Sequence, residues 1–168
     1  MLYAPGLKKI GLGGSLLNDL YGEIGDDLPK VNLKQLRTGW LNYHLMLKQL
    51  GRSQSIRSRS VVAEGGLIRR LFEMSLGSGL GCRIYFDIDI GIKPLYWLCG
   101  ELNTAIVFTA SARSLNWSKF LGKEDYRILG AVTAEPVINV HSYGRWFFQC
   151  PIEVLAEKWQ KTFKEAIG

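Results

Sequence analysis

Four kinds of side chain in this sequence are of a type to do chemistry: clustered cations, thiols, imidazoles and paired carboxylates. Residues 30 to 70 hold nine basic groups, Lys30, Lys34, Arg37, Lys48, Arg52, Arg57, Arg59, Arg69 and Arg70, against a single acid, Glu64. That stretch carries +8 and the remainder of the chain −2. Such a concentration suits the phosphates of a nucleotide, a nucleic acid or an acidic partner protein; it equally suits a solvated helix face followed by a basic loop. Arg52, Arg57 and Arg59 are its candidate interaction patch. Single-stranded nucleic acid is held by cations interleaved with stacking rings, and no aromatic residue lies between Arg52 and Arg59. A nucleic-acid partner is therefore not expected there.

The other reactive groups are scattered. His44 falls beside the apolar stripe of a helical segment and reads as a half-buried packing residue, and His141 ends a strand with no partner visible in sequence. Asp87 and Asp89 are two apart and would share a strand face, where they read as solvating the strand's end before they read as a metal pair. Cys82, Cys99 and Cys150 are odd in number and show no Cys-x-x-Cys spacing, which argues against a disulfide framework and a zinc site. No Lys, Arg or His arrangement beside Cys99 or Cys150 marks an activated thiol. Gly11 to Gly14 lacks the Lys-Ser/Thr ending of a phosphate loop. No catalytic residue and no metal ligand set are assigned.

The elements that must position these groups change character near residue 82. From Asn32, the apolar positions Leu33, Leu36, Trp40, Tyr43, Leu47 and Leu50 recur every three or four residues and predict a helix ended by Gly51. Ser15 reads as the N-cap of an earlier helix with Leu16, Leu17, Leu20 and Ile24. Gly65-Gly66 opens a third, with Leu67, Ile68, Leu71, Phe72 and Leu76 apolar. Beyond it, Cys82 to Ile88, Thr104 to Ala110, Tyr126 to Thr133, Val137 to His141 and Arg145 to Gln149 are short, β-branched and aromatic, and predict strands. Pro94 to Gly100 and Ser114 to Leu121 predict short helices. From Pro151, placed in a first helical turn, Ile152, Leu155, Trp159 and Phe163 line one face of a last helix. Trp40 and Trp159 are expected to be buried.

With 168 residues, 47% of them hydrophobic and 11% aromatic, the chain has material for a core and is neither disordered nor a disulfide mini-protein. Leu102 to Ala112, its longest uncharged stretch, falls short of the roughly 18 to 20 apolar residues of a spanning helix. The amino-terminal residues have no apolar run of signal-peptide length. The expected fold class is α+β: a mixed sheet of four to five strands with helices packed on one face, in one domain over residues 1–168. Residues 1–11 read as a linker tail, which suggests a domain cut from a longer chain.

Motifs along the whole chain resemble a known family. The run from Leu12-Gly13-Gly14-Ser15 to Asp26-Asp27-Leu28-Pro29 resembles the opening of the last synthetase-type domain of large phosphoribosylformylglycinamidine (FGAM) synthases. Glu64-Gly65-Gly66-Leu67 and Phe72-Glu73-Met74-Ser75-Leu76-Gly77-Ser78-Gly79-Leu80-Gly81 resemble that family's Asp-Gly-Gly-Leu and Glu-Met-Ala-x-Ala-Gly segments. Trp97-Leu98-Cys99-Gly100-Glu101 is similar to its Leu-Phe-x-Glu turn, and Leu129-Gly130-Ala131-Val132-Thr133 to its Ile-Gly-x-Val-Thr. The resemblance implies a fold like the C-terminal domain of aminoimidazole ribonucleotide synthetase. It also implies a place in an ATP- and Mg-dependent amidotransferase of de novo purine synthesis, whose glutaminase and partner domains this chain does not contain.

The departure from the pattern falls on the family's reactive loop, His-Asp-x-Ser-Asp-Gly-Gly. Aligned on Gly65-Gly66, this chain has Ser60, Val61 and Ala63 where the family has its histidine, first aspartate and serine. Valine and alanine neither ligate a metal nor exchange a proton. Glu64 keeps a carboxylate, and Gly65 and Gly66 keep a backbone whose N–H groups at a helix start can hold an anion; a tight loop-to-helix turn explains the same glycines. Glu64, Gly65 and Gly66 are thus a vestigial substrate or phosphate site, and the isolated domain needs no cofactor. Two functions follow from the resemblance. One is a pseudoenzyme or scaffold acting by protein contacts, as gammaherpesvirus tegument homologues of this family do, in the virion or host nucleus. The other is the terminal synthetase domain of a working cytoplasmic enzyme, joined to the other domains of a longer chain.

Overall fold

The computed structural model describes residues 1–25, 27–50, 56–86, 93–111 and 119–167. Its contacts divide into two compact units, Met1–Arg70 with Ile92–Ile128, and Leu71–Gly91 with Leu129–Gly168.

The first unit is built on an antiparallel sheet. β1 (Leu2–Tyr3) pairs on one side with β6 (Ile106–Ala110) and on the other with β7 (Tyr126–Arg127), and β4 (Ile56–Val61) pairs with β6, giving the order β4-β6-β1-β7. A ribbon of β2 (Leu7–Lys9) and β3 (Lys30–Val31) stands apart. α1 (Leu16–Leu20) starts at Ser15, whose Oγ accepts the Asn18 N–H, and α2 (Leu33–Leu50) starts at Asn32, whose Oδ1 accepts the Gln35 N–H at 3.0 Å. α4 (Pro94–Cys99) has proline in its first turn.

The stripe predicted for α2 meets the core in its second half, at Tyr43 and Leu47, and fails at Leu33 and in part at Trp40. Tyr43 and Met46 are buried with Tyr3, Ile106, Phe108 and Leu121, whereas Leu33 is exposed and Trp40 is 36% exposed. Gly39 decides this. A Cβ there would overlap Pro5 and lie 2.9 Å from the Tyr3 hydroxyl, which donates to the Gly39 carbonyl at 2.8 Å. The helix therefore approaches the sheet along its glycine and stacks Tyr43 on Tyr3, ring centroids 5.7 Å apart. His44, one residue on, is exposed and not half-buried as expected.

The second unit carries a mixed sheet in the order β10-β9-β5-β8, formed by β5 (Gly81–Tyr85), β8 (Gly130–Thr133), β9 (Val137–Ser142) and β10 (Arg145–Pro151). β5 and β9 are parallel; the other pairs are antiparallel. β9 and β10 are joined through Tyr143 and Gly144, both at positive φ, the geometry of a type I′ turn. Cys82, Ile84, Ile138 and Val140 alternate onto a buried face. Covering helices are α3 (Gly66–Ser78), whose portion from Leu71 belongs to this unit, and α5 (Ile152–Ile167), with Phe72 and Trp159 rings 5.5 Å apart.

The α+β class is as expected, but the strands form two four-stranded sheets and a ribbon where the sequence suggested a single sheet. Residues 1–11, read as a linker tail, contribute β1 and β2, with Leu2 and Tyr3 fully buried. The expected strand Tyr126 to Thr133 is two strands of different sheets, β7 and β8, and Gly130, the first residue of β8, lies too close to the Arg83 carbonyl for any side chain. Pro151 closes β10, and α5 begins one residue later. Trp159 is 44% exposed, so its expected burial is only partial. Gly51, Asp87, Asp89, most of Ser114 to Leu121, and the Phe163 side chain lie outside the described residues.

Candidate functional site

The vestigial loop lies in the first unit. β4 delivers it: Ser60 and Val61 pair with Val107 and Ile106, and the next residue, Val62, is buried and donates its N–H to the Ala105 carbonyl at 2.9 Å. The chain then tightens, with the Ala63 N–H on the Val61 carbonyl and the Gly66 N–H on the Ala63 carbonyl at 2.9 Å. Gly65 and Gly66 both take positive φ, and a Cβ on Gly66 would stand 2.5 Å from the Leu98 carbonyl at the end of α4. Only glycine fits both demands.

Polar groups of this loop are satisfied from within the chain. The Glu64 carboxylate lies 3.1 Å from Arg69 Nη1, and the Glu64 carbonyl accepts from Arg70 Nη2 at 3.1 Å. The Gly65 N–H donates to Glu101 Oε1 at 2.9 Å, and the same oxygen accepts the Leu16 N–H at 2.7 Å. Glu101 follows α4 directly. One carboxylate thus ties the entry of α1 to the turn before α3. A carboxylate in this position occupies the N–H group that an external phosphate oxygen would use. Sequence reasoning saw Glu101 only as the end of a turn motif; its role depends on partners 36 and 85 positions away in the chain.

The remaining candidates fall elsewhere. Arg57 and Arg59 are exposed on β4, the edge strand of its sheet, Arg57 at a bulge in the β4–β6 register; Arg52 lies outside the described residues. Burial raises the Tyr43 phenol above its ordinary pKa, and the neighbouring Arg59 guanidinium works against that rise. Burial pushes the Cys82 thiol up to about 11 and also raises Cys99, so neither is a ready nucleophile at neutral pH. Among the described residues no three His, Cys, Asp or Glu converge on a metal position, and no helix is long and apolar enough to cross a membrane. An open cleft of about 740 Å³ lies between the start of α2 (Asn32, Gln35, Thr38) and Lys123 to Asp125; the loop does not line it.

No protein-family model matches the chain. It is 24% identical over 166 residues to the "Probable membrane antigen 3" of Saimiriine herpesvirus 2 and 28% identical over 167 residues to the phosphoribosylformylglycinamidine synthase subunit PurL of Thermoplasma volcanium. Each match takes in 95% of this chain, but the chain spans only 12% and 20% of those proteins. T. maritima PurL complexed with FGAR superposes with a TM-score of 0.70 at 16% identity, covering 92% of this chain and 27% of that one. The same protein is also solved with ATP and within the assembly PurLQS, with TM-scores of 0.61 and 0.60. The fold is that of a PurL-like synthetase domain, and the resemblance carried by the motifs extends through both sequence and fold.

Proposed function

We propose that this chain is an FGAM-synthase-like domain whose reactive loop has eroded and which works as a pseudoenzyme or scaffold through protein contacts. One observation carries the reading. The positions aligned with the family's histidine, first aspartate and serine are Ser60, Val61 and Ala63, and the carboxylate that remains, Glu64, is paired with Arg69. Magnesium bound to a nucleotide needs hard oxygen ligands, and this loop's own side chains fit that demand poorly. The Gly65 N–H is likewise engaged, by Glu101. The similarity to the "Probable membrane antigen 3" of a herpesvirus supports the likeness to viral homologues on which this reading draws. Under this reading Arg57 and Arg59 on the β4 edge, with Arg52, meet an acidic partner protein, and the other domains of a longer chain are further partners.

The second reading is a terminal synthetase domain of a working ATP- and glutamine-dependent FGAM synthase. The 28% identity to a PurL subunit and the superposition on PurL bound to FGAR favour it. There, Gly65 and Gly66 would lend backbone N–H groups to a phosphate while catalysis rests on other domains.

Titration of Mg·ATP and of formylglycinamide ribonucleotide into the longest chain containing this domain separates the two, read by heat and by melting temperature. A ligand at a hundred times its Kd stabilises the folded state by about 2.7 kcal/mol. Millimolar ligand with neither heat nor shift is the expected result. Saturable binding that Glu64→Ala weakens would overturn the scaffold reading.

A further inference from the structure

Apolar side chains scattered singly over a surface are ordinary, whereas grouped ones mark a contact. The first unit has two such groups, and they differ in charge. One lies on α1 and the turns that follow it. Leu16 and Leu17 are half-buried, but Leu20, Tyr21, Ile24 and Leu28 are exposed, Ile24 by 84%. Gly22 and Gly25, both at positive φ, bend the chain after α1, and the stripe from Leu20 onward stays open to solvent. Between Ile10 and Pro29 the sequence has four acids, Asp19, Glu23, Asp26 and Asp27, and no base. Asp27 is paired with Lys9; Asp19 and Glu23 are exposed.

The other group is the outer side of α2. Opposite Tyr43 and Met46, which face the core, Leu33, Arg37, Leu41 and Leu45 recur every four residues and form one ridge along the helix. All four are exposed, Leu33 by 76%. Lys34 and Lys48 are exposed beside the ridge, and α2 contains no acid.

Both groups are open, so within one copy neither covers the other. Laying α2 on the α2 of a second copy would set cation against cation, and laying the acidic group on its own counterpart would set acid against acid. Only the unlike pairing covers apolar side chains on both sides and opposes charges of opposite sign. Two whole chains at +6 repel one another, but physiological salt screens that repulsion beyond about 8 Å, while groups in contact keep their attraction. We propose that the outer ridge of α2 docks on the Leu20, Tyr21, Ile24 and Leu28 group of a second copy of this chain. Exchanged reciprocally, the contact closes a two-fold dimer in which each surface meets the other's complement. It uses neither the β4 arginines nor the Gly65-Gly66 loop, and so stands under either reading of function.

Sedimentation equilibrium of the full chain across the micromolar range at physiological salt reads the mass directly. The mass is expected to rise with concentration from one chain to two. Leu41→Glu, an exposed change, is expected to weaken association at least tenfold with an unchanged urea midpoint. Two charge-reversed variants, each checked for folding by the same midpoint, give the sharper test. Lys34→Glu with Arg37→Glu, and Asp19→Lys with Glu23→Lys, are each expected to sediment as single chains where the parent pairs. An equimolar mixture of the two is expected to regain the parent's association, because every contact in the mixed dimer again joins opposite charges. A parent that keeps the mass of one chain, association that Leu41→Glu leaves intact, charge-reversed variants that pair by themselves, or a mixture that fails to pair overturns the proposal.

Discussion

Replacing Glu101 with alanine tests the account of the loop most directly. Its Oε1 accepts two backbone N–H groups, from Leu16 at 2.7 Å and Gly65 at 2.9 Å, and both donors stand at helix entries that need a partner. Hydrogen bonds to a charged group contribute about 1.5 to 3 kcal/mol each. Glu101 is half-buried, so water recovers part of the loss when the carboxylate is removed, and a net cost of about 2 to 4 kcal/mol is expected. For a chain of this size each kcal/mol shifts the melting temperature by roughly 2 to 4 °C, so a fall on the order of 5 to 15 °C follows. Glu101→Gln keeps a carbonyl oxygen in the same place and loses only the charge, at a cost of about 1 kcal/mol. Urea unfolding of the three proteins, with the slope checked for constancy, gives the comparison. An alanine variant within about 0.5 kcal/mol of the parent refutes the reasoning, since that is the scatter of an ordinary surface change. A glutamine variant as damaged as the alanine one would show that charge, not the paired N–H groups, matters.

Further expectations rest on other parts of the fold. Gly39→Ala should destabilise by about 1 to 3 kcal/mol through overpacking against Pro5 and Tyr3, although alanine is the better helix former; a stabilised variant in thermal melts would contradict the close approach. Phe108→Ala, at the centre of the first unit's core, should cost about 3 to 5 kcal/mol. Half-exposed Trp159→Ala should cost clearly less in the same denaturant series, and the reverse order would contradict the burial pattern. The raised Cys82 pKa favours the neutral thiol in the folded state, so its contribution to stability is complete below about pH 9 and is lost as pH rises towards about 11. Cys82→Ser should flatten the fall in urea midpoint between pH 8.5 and 10.5. Reversing Arg57 and Arg59 to glutamate should leave folding intact and abolish capture of an acidic partner; retained binding in a pull-down at physiological salt would remove the basic patch from the scaffold reading.

The sequence pattern revealed the parts of this fold that depend on neighbours in the chain. α2, α3 and α5 follow from apolar residues at helical spacing, and the turn at Gly65-Gly66 follows from two glycines before such a run. It hid what depends on distant partners. β1 has two residues and no period of its own; it is a strand because Leu2 meets Val107 and Arg127. β4 alternates isoleucine and serine with arginine, a pattern suited to a sheet edge, and reads as a basic loop until its partner is known. The apolar stripe of α2 pointed to Tyr43 and Leu47, which reach the core, and also to Leu33 and Trp40, which do not; the close approach at Gly39 and the burial of Met46 depend on the sheet it meets. At the loop, Val61 and Ala63 announce lost chemistry by type alone. The bond from Glu101 to two helix entries is a fact of three dimensions.

The position of β1 between β6 and β7 also orders events during synthesis. Its partners are made roughly a hundred residues later, which at about 5 to 20 residues per second is a delay of some 5 to 20 s. Through that interval Leu2 and Tyr3, fully buried in the end, have no sheet to enter, and the two strands between which they belong cannot close without them. A nascent chain in this state displays the apolar Leu2–Tyr3 segment to whatever chaperone meets it. A ribosome-associated holdase that protects this segment should raise the soluble yield of the domain more than one acting after release.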